Sequence, residues 1–202
     1  MIEDRDFFVL DNVQGIIDPH LLFGNDKQLY IEIGSGKGEF ISQYALMHPE
    51  INFLGFEARE KRIRNILKKL STSTHPNVRL VHILVNSNLA SILSPESVQR
   101  VFIQYPDPWP KKRHHKRRLI QQDFLNALAT IMVPGAEVHI STDDQDYANW
   151  IVEEFLKNPY FTSAQDEFIQ KIPSLEDHIP SWYEKKQSHK GITPNYMLFK
   201  RI

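Results

Sequence analysis

Between residues 29 and 48 the chain runs from an apolar strand through a glycine-rich turn into a helix, and no other stretch restricts the possible folds as much. Leu-Tyr-Ile-Glu-Ile at 29–33 has the β-branched, apolar character of a buried strand. Gly34-Ser35-Gly36-Lys37-Gly38 follows. Residues 39–48 then put Phe40, Ile41, Tyr44 and Ala45 on one helical face before Pro49 stops the helix. Such a turn lets a ligand approach the backbone beside a helix N-terminus. A dinucleotide fingerprint requires glycine three residues after its second glycine, and Glu39 stands there instead. The pattern is Glu32-x-Gly34-x-Gly36-x-Gly38, and an ordinary structural turn is its bland alternative.

The same alternation continues. A strand at 52–56 ends on Glu57, about twenty residues beyond the turn, where an acid is placed to accept both ribose hydroxyls of an adenosine or simply to open a helix. The next helix, 58–70, buries Ile63, Ile66, Leu67 and Leu70. Its cations Arg59, Lys61, Arg62, Arg64, Lys68 and Lys69 read as a solvated face. A strand at 78–85 leads to the polar turn Asn86-Ser87-Asn88, and a strand at 101–105 to a proline-rich loop. A helix over 119–133 ends at Pro134-Gly135. A strand at 137–141 ends at Thr142-Asp143-Asp144, where Asp143 either faces a ligand or caps the helix that carries Tyr147, Ile151 and Phe155. Strands at 160–164 and 195–201 flank a long polar stretch holding Pro173, Pro180 and Pro194, of a length that is usually functional or mobile. This order predicts an α/β fold: a Rossmann-like, doubly wound, mostly parallel sheet in one domain, with 29–201 as core and 1–28 as an N-terminal arm. Ligands of such sheets sit beyond the strands' carboxyl ends, where Gly34, Gly36, Gly38, Glu57, Asn86, Asp107 and Asp143 all fall.

Residues 106–118 are the most distinctive: Pro-Asp-Pro-Trp-Pro-Lys-Lys-Arg-His-His-Lys-Arg-Arg. Each proline fixes its own φ and is expected to push the residue before it towards an extended conformation, which holds Asp107 and Trp109 on a stiff loop. A carboxylate and an indole there suit a flat polar ring. Lys111, Lys112, Arg113, His114, His115, Lys116, Arg117 and Arg118 then carry no acid among them and suit a polyanion. A targeting patch is the bland reading of the basic run, and it leaves the Pro-Asp-Pro-Trp segment unexplained.

Bulk composition sets limits. At 202 residues and a net charge of −1, with 41% hydrophobic residues, the chain is neither disordered nor wholly basic, so the basic run is a local feature. The absence of cysteine excludes disulfides and thiolate metal sites, and no His-x-x-x-His spacing or nucleophile-elbow serine occurs, so no metal is expected. The acidic start and the lack of a long apolar run predict a cytoplasmic protein with no membrane partner. Monomer and homodimer both remain open.

The glycine pattern resembles the first motif of class I S-adenosylmethionine-dependent methyltransferases, whose cofactor carries an ammonium and a sulfonium that an adjacent acid suits. Over residues 29–201 the chain resembles bacterial tRNA (guanine-N7-)-methyltransferases. The resemblance rests on segments 32–40, 53–57, 106–118, Ser-Thr-Asp-Asp-Gln-Asp-Tyr-Ala at 141–148 and Ser-Trp-Tyr-Glu at 181–184. It implies a seven-stranded sheet with an antiparallel last strand. It also implies S-adenosylmethionine contacts at Glu32, Glu57 and Asp107, and tRNA contacts at Lys111, Asp143 and Ser181, Trp182, Tyr183 and Glu184. The substrate it implies is guanine of the tRNA variable loop (position 46). Two departures stand out. Leu84 occupies the place of an adenine-facing Asp, so Asn86 or the Leu84 backbone is expected to do that work. Ser181 and Tyr183 replace a Thr and a Phe, with hydroxyl and ring kept.

The chemistry follows from guanine itself. N7 has a lone pair and no proton, so methyl transfer to it is an in-line displacement that needs alignment and charge stabilisation but no base. Asp107 suits both tasks. Asp143 and Glu184 are suited to accept the N1–H and amino hydrogens that only guanine presents together. Trp109 or Tyr183 either stacks on the base or packs the protein. The rivals are an amino-group methyltransferase, whose loop order is typically Asn/Asp-Pro-Pro-aromatic, and a non-catalytic RNA-binding protein on the same fold, which should have lost the cofactor acids.

Overall fold

The computed structural model describes residues 3–202. Its elements are α1 (Glu3–Phe8), β1 (Val9–Leu10), α2 (Pro19–Phe23), β2 (Leu29–Ile33), α3 (Glu39–Met47), β3 (Asn52–Glu57), α4 (Glu60–Leu67), β4 (Val78–His82), β5 (Val98–Gln104), α5 (Gln122–Ile131), β6 (Met132–Thr142), α6 (Gln145–Lys157), β7 (Phe161–Ser163), α7 (Trp182–Ser188) and β8 (Asn195–Arg201). The strands form one sheet in the order β1-β4-β3-β2-β5-β6-β8-β7, parallel except that β8 runs antiparallel to both β6 and β7.

Side-chain alternation explains the layers. Ile31, Ile33, Leu54, Phe56, Val101, Ile103, Val138 and Ile140 point to one face and bury with α5 and α6. Phe53, Leu80 and Phe102, one residue out of phase, point to the other and bury with Phe40, Ile41 and Tyr44 of α3 and Ile63 and Ile66 of α4. Each such side chain contributes roughly 1.5–3 kcal/mol by leaving water.

Several expectations change. The sheet has eight strands rather than seven, because Val9–Leu10 pairs parallel with β4 at the edge. Within the predicted arm, residues 3–28 are therefore part of the fold, while Met1 and Ile2 lie outside the described residues. Ion pairs from Arg5 to Asp11 and Glu60 fasten this region, with His82 beside Asp11. β4 ends at His82 instead of running to 85. Helix α5 stops at Ile131, and Pro134-Gly135 lies inside β6, in an irregularity opposite β5 where a missing N–H is tolerated.

Chain order reverses at β2. From β2 the chain moves outward through β3 and β4, then returns to β5 on β2's other side. The loops after β2 and β5 therefore diverge and leave a crevice at the carboxyl ends.

Candidate active site

The crevice is an open cleft of about 540 Å³. Its walls include Gly34, Glu57, Arg59, Arg62, Leu84, Asn86, Tyr105, Asp107, Trp109, Lys116 and Arg117. On the β2 side the turn is tied down by backbone bonds. The N–H groups of Gly34 and Ser35 both donate to Phe56 O, at 2.8 and 3.0 Å, and Gly38 N–H donates to Ser35 O. Gly38 starts α3 with φ +79°, and a Cβ there would meet Ile66 at 2.8 Å, so both backbone and space require glycine. Glu57, 3% exposed, clamps the turn from β3: Gly36 N–H donates to Oε2 at 3.0 Å and Arg59 N–H to Oε1 at 2.9 Å. Glu32 is equally buried, and its Oε2 has no hydrogen-bond partner. Burial pushes its carboxyl up to about 8, with the charges of Glu57 and Glu39 acting in the same direction.

The loop after β5 is bent more sharply than its prolines suggest. Tyr105 and Trp109, each before a proline, adopt φ of +52° and +44° rather than extended backbone. Non-glycine residues pay strain there, and such strain gathers at functional sites. Asp107 is exposed between them and lines the cleft.

Residues 112–117 form a 3-10 helix, whose side chains eclipse at every third position. That period divides the basic run into three faces. His115 and Arg118 turn inward: Arg118 is 2% exposed, donates to Pro108 O at 2.8 Å, pairs with Asp146 and stacks its guanidinium on Tyr147 and Trp150, while the His115 ring packs against Trp150. His114 and Arg117 share the face toward Trp109, at 5.8 and 5.0 Å between ring centres or charge and ring. Arg113 and Lys116 share the solvent face, and Lys111 and Lys112, at the start of the turn, are exposed as well. The expectation that the whole run is a phosphate surface is thus corrected for Arg118, which is a buried part of the scaffold, while His115 is half-buried against Trp150.

Helix α7 closes the β6 side. Ser181 caps it, accepting from Glu184 N–H at 3.2 Å, so its hydroxyl serves the helix. Asp144, not Asp143, caps α6, accepting from Tyr147 N–H at 2.8 Å. That leaves Asp143 free to accept from Tyr183 Oη at 3.1 Å and from the Gln187 amide. Trp182 is exposed, with Lys37 Nζ of the glycine turn 3.3 Å from its ring centre. Glu184 is tied to two residues of the scaffold. It is 6% exposed, and Oε1 accepts from Tyr196 Oη and contacts His178 Nε2, both at 2.7 Å. Burial alone would raise its carboxyl, but the His178 and Tyr196 contacts bring it below its ordinary range. Through Oε1 it anchors α7, while its buried Oε2 has no hydrogen-bond partner among the described residues. Asn86 lines the cleft, with Oδ1 engaged by Asn88 N–H at 2.8 Å in a local turn.

Comparison with known proteins gives this site a family. A family model described as "Putative methyltransferase" matches residues 26–195. The tRNA (guanine-N(7)-)-methyltransferase of Geobacillus thermodenitrificans is 36% identical over 172 residues, 85% of this chain and 79% of that one. Its counterpart in Bacillus subtilis is 35% identical over 84% of this chain and 79% of that one. The chain belongs to the tRNA (guanine-N7-)-methyltransferase family. Among solved structures, a 16S rRNA (adenine(1408)-N(1))-methyltransferase from Catenulisporales acidiphilia has the same fold, with a TM-score of 0.60 at 15% identity over 92% of each chain.

In this methyltransferase the cleft thus gathers Gly34, Glu57, Asn86, Asp107, Lys116 and Arg117, with Gly36 bonded to Glu57. Asp143, Trp182 and Tyr183 stand nearby on the α7 side. Sequence reasoning missed Arg59 and Arg62 as cleft residues, although their spacing of three on α4 puts them on one face. It also missed Gln187 and Lys37, which fasten α7; no spacing rule connects those residues to their partners.

Proposed function

We propose that this enzyme transfers a methyl group from S-adenosylmethionine to N7 of a guanine in the variable loop of tRNA, in the cytoplasm. The observation that carries this reading is one cleft whose lining joins the carboxylates of Glu57 and Asp107 to the cations of Lys116 and Arg117. No helix among the described residues is long and apolar enough to cross a membrane.

The residues fit the methyl donor. The buried, unpartnered Oε2 of Glu32 is suited to an ammonium, Glu57 to ribose hydroxyls, and Gly34 and Gly36 leave room beside the backbone, while Gly38 makes space for Ile66. Bound there, S-adenosylmethionine supplies an electrophilic methyl on a sulfonium. The protein's share is alignment and charge. Asp107 places a carboxylate at the cleft where the purine becomes cationic, and no group has to remove a proton. Trp109 and Tyr183 offer faces to the base, and Asp143 accepts its N–H groups once Tyr183 and Gln187 yield. Lys111, Arg113, Lys116 and Arg117 hold phosphates.

Incubation with methyl-labelled S-adenosylmethionine and bulk tRNA, followed by nucleoside analysis, tests the reading. Label in 7-methylguanosine is expected. Label on an exocyclic amine would replace this reaction with an amino-group transfer.

A further inference from the structure

The cleft has cations on two walls. Lys116 and Arg117 come from the loop after β5, and Arg59 and Arg62 from the start of α4, on the β3 side. These two arginines are poorly paired. Arg62 lies 3.5 Å from Glu57 Oε2, and Arg59 meets Glu57 only through its backbone N–H. Arg64, two residues on, is instead bound to Glu60 at 2.7 Å.

The methyl donor does not account for them. S-adenosylmethionine carries an ammonium, a sulfonium and one carboxylate, a net positive charge, and its adenosine has no phosphate. Its single carboxylate can take one arginine fork at most, so a lining that joins two arginines to Lys116 and Arg117 answers to further anions that arrive separately. Arginine's planar fork matches phosphate geometry. Phosphates are also what an RNA strand presents on both sides of a nucleotide turned into a cleft, and contacts to them position the strand without reading its sequence.

We propose that Arg59 and Arg62 form the second jaw of an RNA clamp, gripping backbone phosphates next to the target guanosine across the cleft from Lys116 and Arg117. This rests on the tRNA reading above. It turns part of α4's charged face, which the sequence presents as mere solvation, into a substrate surface.

The test is tRNA binding as a function of salt for the Arg59→Gln/Arg62→Gln double variant. Glutamine keeps helix propensity and length while removing charge. The log–log salt slope should flatten by roughly 0.7–0.9 for each phosphate no longer gripped. Affinity for tRNA should fall roughly tenfold near 0.1 M salt, with affinity for S-adenosylmethionine unchanged or tighter. Lys61→Gln, the same charge change at an exposed α4 position outside the cleft lining, should leave the slope in place. An unchanged slope in the double variant, an equal drop in Lys61→Gln, or loss of cofactor affinity in step with tRNA would each overturn the clamp. Nucleoside analysis of the wild type separates the two levels. Tight tRNA binding without 7-methylguanosine sinks the reaction and leaves the slope to decide the clamp.

Discussion

A buried carboxyl group with an unpartnered oxygen is costly when ionised, and Glu32, whose Oε2 has no partner, is such a group. Its carboxyl titrates near 8 in the fold against 4.5 for the ordinary group, so the folded protein binds a proton that the unfolded chain releases. The stability this contributes is complete below about pH 4.5 and is lost as pH rises through about 8. Urea unfolding of the ligand-free protein should show that decline, and Glu32→Gln should flatten it. The ammonium of S-adenosylmethionine selects the ionised form. Its binding at pH 7 should then release about one proton, measurable by calorimetry in two buffers of different ionisation enthalpy. Glu32→Gln should abolish the release, and a wild type that releases none would remove Glu32 from the cofactor site. Asp107 is exposed at the cleft, and the role proposed for it is one of charge and position. Asp107→Asn should slow single-turnover methyl transfer roughly 10²–10³-fold. Binding of tRNA should change far less, and a drop confined to binding would contradict the role.

At the scale of elements, the 3-10 helix at 112–117 separates scaffold from surface within one basic run. Arg118→Ala should cost about 2–3 kcal/mol of stability, because a charge-assisted hydrogen bond and two cation–π interactions disappear together. It should leave the salt slope of tRNA binding nearly unchanged. Lys116→Ala should do the reverse, with the slope flattened by roughly 0.7–0.9 and the melting temperature unmoved. The division was hidden in the sequence because eight polar residues in a row show no contrast between faces; only the third-residue period of a short 3-10 turn sorts them. The main strands and helices were legible for the opposite reason. The continuous apolar run Phe53-Leu54-Gly55-Phe56 between Asn52 and Glu57, for instance, and the helical stripe of Ile63 and Ile66, stand out against polar neighbours. The two-residue β1 is too short for any period, and long-range partners such as Arg5 and Glu60 hold its surroundings.

Over the whole molecule, the glycine turn, Glu57 and Asp107 were found from sequence because the carboxyl ends of parallel strands converge whatever the details. The structural partners of Glu184 were not foreseen, because His178 and Tyr196 come from a loop and the antiparallel strand β8, neither of which carries a local signal of that meeting. The fold therefore delivers a cleft between β2 and β5, with α7 fastened along one side by Asp143, Gln187 and Lys37. All of this geometry serves one acceptor atom, a guanine N7 that loses no proton. The most direct measurement replaces the target guanosine of the tRNA by 7-deazaguanosine, which keeps the Watson–Crick edge and exchanges N7 for C–H. Such a tRNA should bind as tightly as the normal one and accept no methyl group. Methyl transfer at an undiminished rate would contradict N7 as the acceptor and move the chemistry to another atom.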